Sequence, residues 1–181
     1  MTTLLTPPRK TIALVGLMGV GKTSIGRRLA TTLGLPFRDA DTEIEQAAGR
    51  TISDIFTLFG EAAFRDGERR VIARLLDEPP HVLATGGGAF VQEETRNLIK
   101  ERAISVWLKA DLDVLARRVA RRDHRPLLVG KDPMTVLQDH VRDRYPAFEQ
   151  ADVVVETGDA AHQVAVDSII SALAAHEATS R

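Results

Sequence analysis

Apolar residues fall in short blocks, separated by polar stretches that carry glycine, proline or charge. Thr11-Ile-Ala-Leu-Val15 is an unbroken run of strand length, the pattern of a strand covered on both faces. Ile25, Leu29 and Leu33 then recur at helical spacing, so Thr23 to Leu33 reads as a helix with Gly34 as its stop. Leu35 to Arg38 is a short second strand that runs out at Asp39-Ala-Asp41. Thr42-Glu-Ile-Glu45 matches a capping box and predicts a short helix that Gly49 ends. Thr51-Ile-Ser-Asp54 reads as the next N-cap region and leads into Ile55, Phe56 and Phe59. Gly60 breaks the pattern, and Glu61 to Leu76 predicts a longer helix carrying Phe64, Val71, Ile72, Leu75 and Leu76.

His81-Val-Leu-Ala84 predicts a third strand running into Thr85-Gly86-Gly87-Gly88, and Ala103 to Leu108 a fourth. Asp111 to Ala120 is helical, with Leu112, Leu115, Ala116 and Val119 on one side. Arg121 to Pro133 is charged and broken by Pro126, Gly130 and Pro133, so it reads as a mobile loop. A helix from about Met134 to Phe148, a fifth strand at Val153-Val-Val155 and a closing helix from Ala160 to Ala175 follow, with Glu177 to Arg181 expected to fray. Alternation of strand and helix predicts an α/β chain: a five-stranded parallel sheet flanked by helices in three layers. No repeat, low-complexity tract or linker interrupts it, so residues 1–181 read as one domain.

Composition sharpens this only in places. The 181 residues suffice for a sizeable core, and 44% hydrophobic content is ordinary for a globular protein. No apolar run approaches the ~18 residues of a membrane span. Met1 to Arg9 has no apolar signal core, and no membrane partner and a cytoplasmic location are expected. There is no cysteine, so no disulfide or thiolate chemistry. A net charge of −1 gives no general nucleic-acid surface. Of 24 basic residues 19 are Arg, the better fork for carboxylate and phosphate, although codon bias would produce the same total. Each Arg therefore needs its own argument. The five His show no metal-ligand spacing, and a monomer is the default expectation.

The chemistry begins between the first strand and the first helix. Gly16-Leu-Met-Gly19-Val20-Gly21-Lys22-Thr23 fits the phosphate-binding loop G-x-x-x-x-G-K-[ST] at every fixed position. Such a loop turns its N–H groups onto phosphate oxygens, helped by the N-terminus of the helix that follows. Lys22 is placed to reach the β- and γ-phosphates and the Thr23 hydroxyl to ligate Mg²⁺; Gly19, Val20, Gly21 and Ser24 complete the nucleotide-phosphate set. Strand, loop and helix in that order argue against a chance match.

A phosphate loop alone does not separate kinases from GTPases, ATPases or motors. No N-K-x-D guanine motif is present, and the third strand ends in glycines where larger ATPases carry a metal-binding Asp. The acidic candidates near a metal are then Asp39 and Asp41, at the carboxyl edge where open α/β sheets bind ligands. Spacing i, i+2 points both carboxylates the same way if the strand stays extended. One could hold Mg²⁺ through water while the other accepts a proton from a hydroxyl. The alternative for Asp41 is a solvated residue ahead of the Thr42 cap.

Taken together, the chain resembles the shikimate kinase family over nearly its full length. The resemblance is carried by Gly16 to Thr23, by Asp39-Ala-Asp41 with Ile44-Glu45, and by Ile55-Phe56 with Gly60-Glu61. It continues through Phe64-Arg65 with Glu68, Gly86-Gly87-Gly88, Arg125-Pro-Leu-Leu128, and Arg144 with Pro146. Beyond the phosphate loop no single block is specific, but all of them in order are. The resemblance implies phosphorylation of the 3-hydroxyl of shikimate from ATP with Mg²⁺, within aromatic amino-acid biosynthesis. It implies that Asp41 binds the ring hydroxyls and is the base, that Asp39 supports the metal through water, and that Arg65 and Arg144 grip the substrate carboxylate. Gly86, Gly87 and Gly88 form a substrate-facing turn, Arg125 is a lid arginine within about 120–133, Arg118 packs on the adenine, and about 41–70 is the shikimate-binding helical segment.

The residues are chemically suited to those roles. Planar Arg forks fit a carboxylate, Asp41 an acceptor hydroxyl, and a glycine turn close backbone approach. Phe56 and Phe64 could wall a ring or be ordinary core. Glu68 lies one turn after Arg65 and could hold its guanidinium, although most such pairs are weak surface bridges. A closing lid would exclude water, and Arg125 with Lys22 would then stabilise charge on the transferring phosphoryl oxygens. Phe148 stands where the family often has Tyr, and nothing in Thr157-Gly158-Asp159 is diagnostic for adenine. A gluconate kinase, or a non-catalytic binding protein that kept the fold, are the competing readings; the retained Lys22, Asp41 and Arg125 count against the second.

Overall fold

All five residues of β1 (Thr11–Val15) are buried, and β1 is the central strand of a five-stranded sheet. The computed structural model describes residues 8–121 and 130–180. Strand order is β2 (Phe37–Asp39), β3 (Val82–Ala84), β1, β4 (Ala103–Ala110), β5 (Val153–Thr157), and every pairing is parallel. Parallel neighbours need crossovers, and helices supply them. They are α1 (Lys22–Leu33), α2 (Ala40–Ala48), α3 (Ile52–Leu76), α4 (Glu93–Arg102), α5 (Leu112–Ala120), α6 (Pro133–Phe148) and α7 (His162–Thr179). The expected α/β architecture is thus the observed one. Among the described residues no helix is long and apolar enough to cross a membrane.

Helix α1 packs on α7 and reaches β2 and β3, while α3 packs on α4, which lies on β4. The β1–β3–β4 centre is closed by side chains that water does not reach: Ile12, Leu14, Leu29, Ile72, Leu83, Ile99 and Phe148 among them. Each such side chain contributes roughly 1.5–3 kcal/mol of transfer free energy. Trp107, Tyr145 and Phe148 form an aromatic group joining β4 to α6, with Trp107 edge-on to Tyr145 at 4.9 Å. Phe148 is therefore a core anchor.

Several boundaries differ from the sequence pattern, each for a physical reason. The Thr42 capping box is not used. The N-cap of α2 lies three residues earlier, at Asp39, whose carboxylate accepts from the backbone N–H groups of Asp41 and Thr42. Glu45, freed from capping its own helix, accepts from the N–H of Ile52 at 3.0 Å and so helps cap the next one. Thr51 caps α3 as the pattern predicts, through its hydroxyl and the Asp54 N–H. Gly60 breaks α3 at φ 84°, also as expected.

Helix α4 and the 3₁₀ turn at Ala89–Val91 have no counterpart in the hydrophobic pattern. Only Thr95 and Ile99 of α4 are buried, so its apolar stripe is too narrow to register. Its charges do give a signal, with Glu93 and Glu94 in the first turn and Lys100 and Arg102 in the last. Helix α7 runs to Thr179, past the predicted end at Ala175, so Glu177 to Thr179 are helical.

Candidate functional site

Two adjoining cavities open at the carboxyl end of the sheet. The smaller, about 120 Å³, is lined by Gly19, Gly21, Lys22, Thr23 and Ser24 of the phosphate loop, with Asp39, Asp41, Thr85, Gly86 and Gly87. The larger, about 450 Å³, is lined by Asp41, Glu45, Phe56, Phe64, Arg65, Glu68, Arg144 and the Gly86–Gly88 turn, among others. Met18, Asp41, Gly86 and Gly87 belong to both, so they form the boundary between the two compartments.

The phosphate loop is held by contacts that its sequence requires. Gly16 has φ 146°, and a Cβ there would stand 2.6 Å from the carbonyl oxygen of Leu108. No side chain fits between loop and strand at that point. Gly21 caps α1 in a left-handed conformation at φ 102°. Lys22 Nζ donates to the carbonyls of Gly16 at 2.6 Å and Leu17 at 3.0 Å, which lays the ammonium across the loop. Val20 points the other way and is buried in the core.

Asp39 and Asp41 do not project from an extended strand. The chain turns into α2 at Ala40, so the two carboxylates line the smaller cavity from different elements, Asp39 at the end of β2 and Asp41 in the first turn of α2. Asp39 Oδ2 accepts from the Thr23 hydroxyl at 2.8 Å, while Oδ1 caps α2. Asp41 faces Gly86, where a Cβ would stand 3.0 Å from its Oδ1. One carboxylate thus serves the phosphate side and the other the boundary of both cavities. The Thr23–Asp39 pair suits a hard cation. The hydroxyl spends its proton on the carboxylate, which leaves its oxygen lone pairs for a metal, beside a second anionic oxygen donor.

The glycine turn is where the acceptor-side charges converge. A Cβ on Gly87 would lie 3.1 Å from Arg144 Nη1, and one on Gly88 would lie 2.9 Å from the Arg65 Cζ. Three glycines are needed because two guanidinia and two carboxylates occupy the space that side chains would fill. Burial lowers the Arg144 pKa, with the neighbouring Arg65 charge adding to the effect. An anion between the two guanidinia would relieve that strain. Glu68 is 1% exposed and accepts from Arg65 Nη1 at 2.7 Å, so it holds that guanidinium from a buried carboxylate and is not a surface bridge. Desolvation raises the Glu68 pKa; the Arg65 charge opposes it, and Asp41 adds to the rise. Phe56 and Phe64 stack at 4.6 Å along one wall of this larger cavity.

Arg118 sits on α5 beneath the phosphate loop. Its Nη1 donates to the carbonyls of Gly19 and Val20, each at 3.3 Å, and its Nη2 to that of Gly158 at 2.6 Å. A further cavity of about 140 Å³ lies beside it, lined by Ile25, Thr157, Gly158 and His162 among others. Arg117, for which the sequence suggests no role, pairs with Asp159 at 2.7 Å on the same loop. Arg96, also unmarked by any motif, donates to the carbonyls of Phe90 and Val91 and anchors the end of the glycine turn. Arg125 and most of the expected lid lie outside the described residues. Among the described residues no cluster of three or more His, Cys, Asp or Glu forms a metal cage.

The family model for shikimate kinase matches residues 18–174. A shikimate kinase of Caulobacter vibrioides is 71% identical over 164 residues, covering 91% of this chain and 82% of the relative. One from Rhodopseudomonas palustris is 54% identical over 162 residues, covering 90% of this chain and 80% of the relative. The solved shikimate kinase from Acinetobacter baumannii in complex with shikimate superimposes with a TM-score of 0.89 at 38% identity, covering 93% of this chain and 95% of that one. The two-cavity site and these matches agree, and the chain belongs to the shikimate kinase family.

Proposed function

We propose that this protein transfers the γ-phosphoryl group of ATP to the 3-hydroxyl of shikimate, with Mg²⁺ held at Thr23 and, through water, at Asp39. The observation that carries this is the convergence of Arg65, Arg144 and Asp41 on the Gly86–Gly88 turn, next to the phosphate cavity. Two guanidinia suit a carboxylate, and a carboxylate facing the phosphate side suits an acceptor hydroxyl. The acceptor is then a small hydroxylated acid, and family membership selects shikimate.

The chemistry follows from placement. Arg65 and Arg144 fix the substrate carboxylate, and Gly87 and Gly88 let the backbone approach the ring. Asp41 accepts the proton of the hydroxyl as its oxygen bonds to the γ-phosphorus and the bond to the β-bridging oxygen breaks, releasing ADP. Lys22 stabilises charge on the transferring phosphoryl oxygens. A bound Mg²⁺ adds Lewis-acid neutralisation of the phosphates. Arg118 flanks the base end, and Arg125 closes over the phosphates.

A coupled assay for ADP release across shikimate, gluconate and related hydroxy acids tests this directly. Turnover with shikimate is expected; turnover with gluconate and none with shikimate would refute it. Asp41→Asn should cut kcat by ~10²–10⁴-fold while nucleotide affinity stays near wild type.

A further inference from the structure

We infer that Arg118 is a positioning residue for the phosphate loop itself, and that its influence extends to the phosphates independently of any contact with the base. This rests on the kinase reading above.

A trans peptide unit points its C=O and the next residue's N–H in opposite directions, and among the described residues no peptide bond is cis. Arg118 Nη1 donates to the carbonyls of Gly19 and Val20, both at 3.3 Å. Holding the Val20 carbonyl outward aims the Gly21 N–H inward, at the cavity that Gly19, Gly21 and Lys22 line. The Gly19 carbonyl fixes the preceding peptide unit, whose Val20 N–H makes only a long 3.4 Å bond to Leu17. These donors are charge-assisted, so they are stronger than neutral bonds of equal length.

A second observation points the same way. Gly19 has φ 81°, and a Cβ there would lie 3.0 Å from the Val119 side chain and 3.7 Å from the Leu115 carbonyl. Helix α5 is thus seated directly against the loop, through the Val119 side chain, the Leu115 backbone and the stem of Arg118. The third bond, from Nη2 to Gly158 at 2.6 Å, fixes the guanidinium plane from the far side. With three carbonyls as partners, the guanidinium is a strut whose orientation does not depend on a ligand.

A base-free ligand separates this role from packing on adenine. Inhibition by inorganic tripolyphosphate with Mg²⁺ is measured for wild type, Arg118→Ala and Arg118→Lys, alongside inhibition by adenosine. A strut predicts that Arg118→Ala weakens tripolyphosphate ~10-fold and lowers kcat, and that Arg118→Lys, which keeps a cationic donor, recovers part of both. Thermal unfolding with and without saturating tripolyphosphate gives a second readout: the stabilisation by that ligand should shrink in Arg118→Ala even if the unliganded variant melts lower. Unchanged tripolyphosphate affinity with weakened adenosine would overturn the inference and leave Arg118 a base contact alone. Wild-type turnover of shikimate in the same preparation tests the kinase reading separately.

Discussion

Glu68 Oε1 accepts a 2.7 Å hydrogen bond from Arg65 Nη1, and Glu68 is 1% exposed where it does so. The carboxylate fixes the guanidinium rather than neutralising it for stability, since burial raises the Glu68 pKa despite the adjacent charge. Glu68→Gln keeps the shape but weakens a charge-assisted bond worth roughly 1.5–3 kcal/mol. Arg65 then loses its orientation towards the carboxylate. The expected result is a KM for shikimate raised ~10-fold or more, with the KM for ATP unchanged. Equal effects on both substrates would place Glu68 in the scaffold only. Stability should show a pH signature as well. A raised folded pKa means that the Glu68 contribution is fully present below its ordinary value of 4.5 and is lost as pH rises through the folded one. Glu68→Gln should therefore gain on wild type as pH rises above 4.5 through the folded value.

Gly88→Ala should act on the same guanidinium from the other side. Its Cβ would stand 2.9 Å from the Arg65 Cζ, and Glu68 leaves that group little freedom to retreat. Steady-state kinetics should show loss of acceptor affinity with nucleotide affinity retained. Gly67→Ala is the control, because nothing lies within 4 Å of a Cβ there, in the middle of α3. That substitution should raise stability by ~0.5–1 kcal/mol and leave the kinetics alone.

The sheet and the phosphate loop were legible in the sequence because each rests on a local pattern, whereas the acceptor-side residues came from the family resemblance. Thr11–Val15 is a continuous apolar run, and Gly16 to Thr23 is a fixed spacing. What was not legible depended on long-range partners. Thr42 and Glu45 form a good local capping box, but Asp39 outcompetes it because Thr23, sixteen residues earlier, holds the same carboxylate in place. Helix α4 buries little of itself and carries almost no periodic signal. The bonds of Arg118 to Gly19, Val20 and Gly158 join residues forty or more positions apart, which no local pattern encodes.

Asp39 carries two tasks that substitution can separate. One oxygen caps α2 at 3.0 and 3.2 Å, and the other accepts from Thr23 at 2.8 Å. Asn caps helices about as well as Asp, so Asp39→Asn should leave stability within ~0.5 kcal/mol of wild type. It removes the charge that a divalent cation needs, so the Mg²⁺ concentration for half-maximal rate should rise several-fold. Asp39→Ala should add a stability loss of ~1 kcal/mol from the missing cap. A titration of rate against Mg²⁺, paired with thermal unfolding, distinguishes the two. If Asp39→Asn needs no more Mg²⁺ than wild type, the metal role fails while the cap stands.

His140 provides an acid-sensitive element on the helix that carries Arg144. Burial depresses its pKa from 6.5 to about 4; the Arg144 charge one turn away and Lys131 add to the effect, and Asp143 and Asp139 oppose it. Its Nδ1 is buried without a hydrogen-bond partner among the described residues, so protonation gains no acceptor there. For a histidine with a lowered folded pKa, the unfolded chain binds more protons between the two values. Stability is therefore full above about 6.5 and is lost as pH falls towards 4. The shift is worth up to about 3 kcal/mol, and partial exposure of the ring reduces that to ~1–2 kcal/mol. His140→Gln, which cannot titrate, should lose less stability than wild type between pH 7 and pH 4.5. Denaturant unfolding of both proteins across that range measures the difference. Parallel stability curves would show that the acid limb arises from other groups, and a steeper limb in His140→Gln would reverse the sign assigned here.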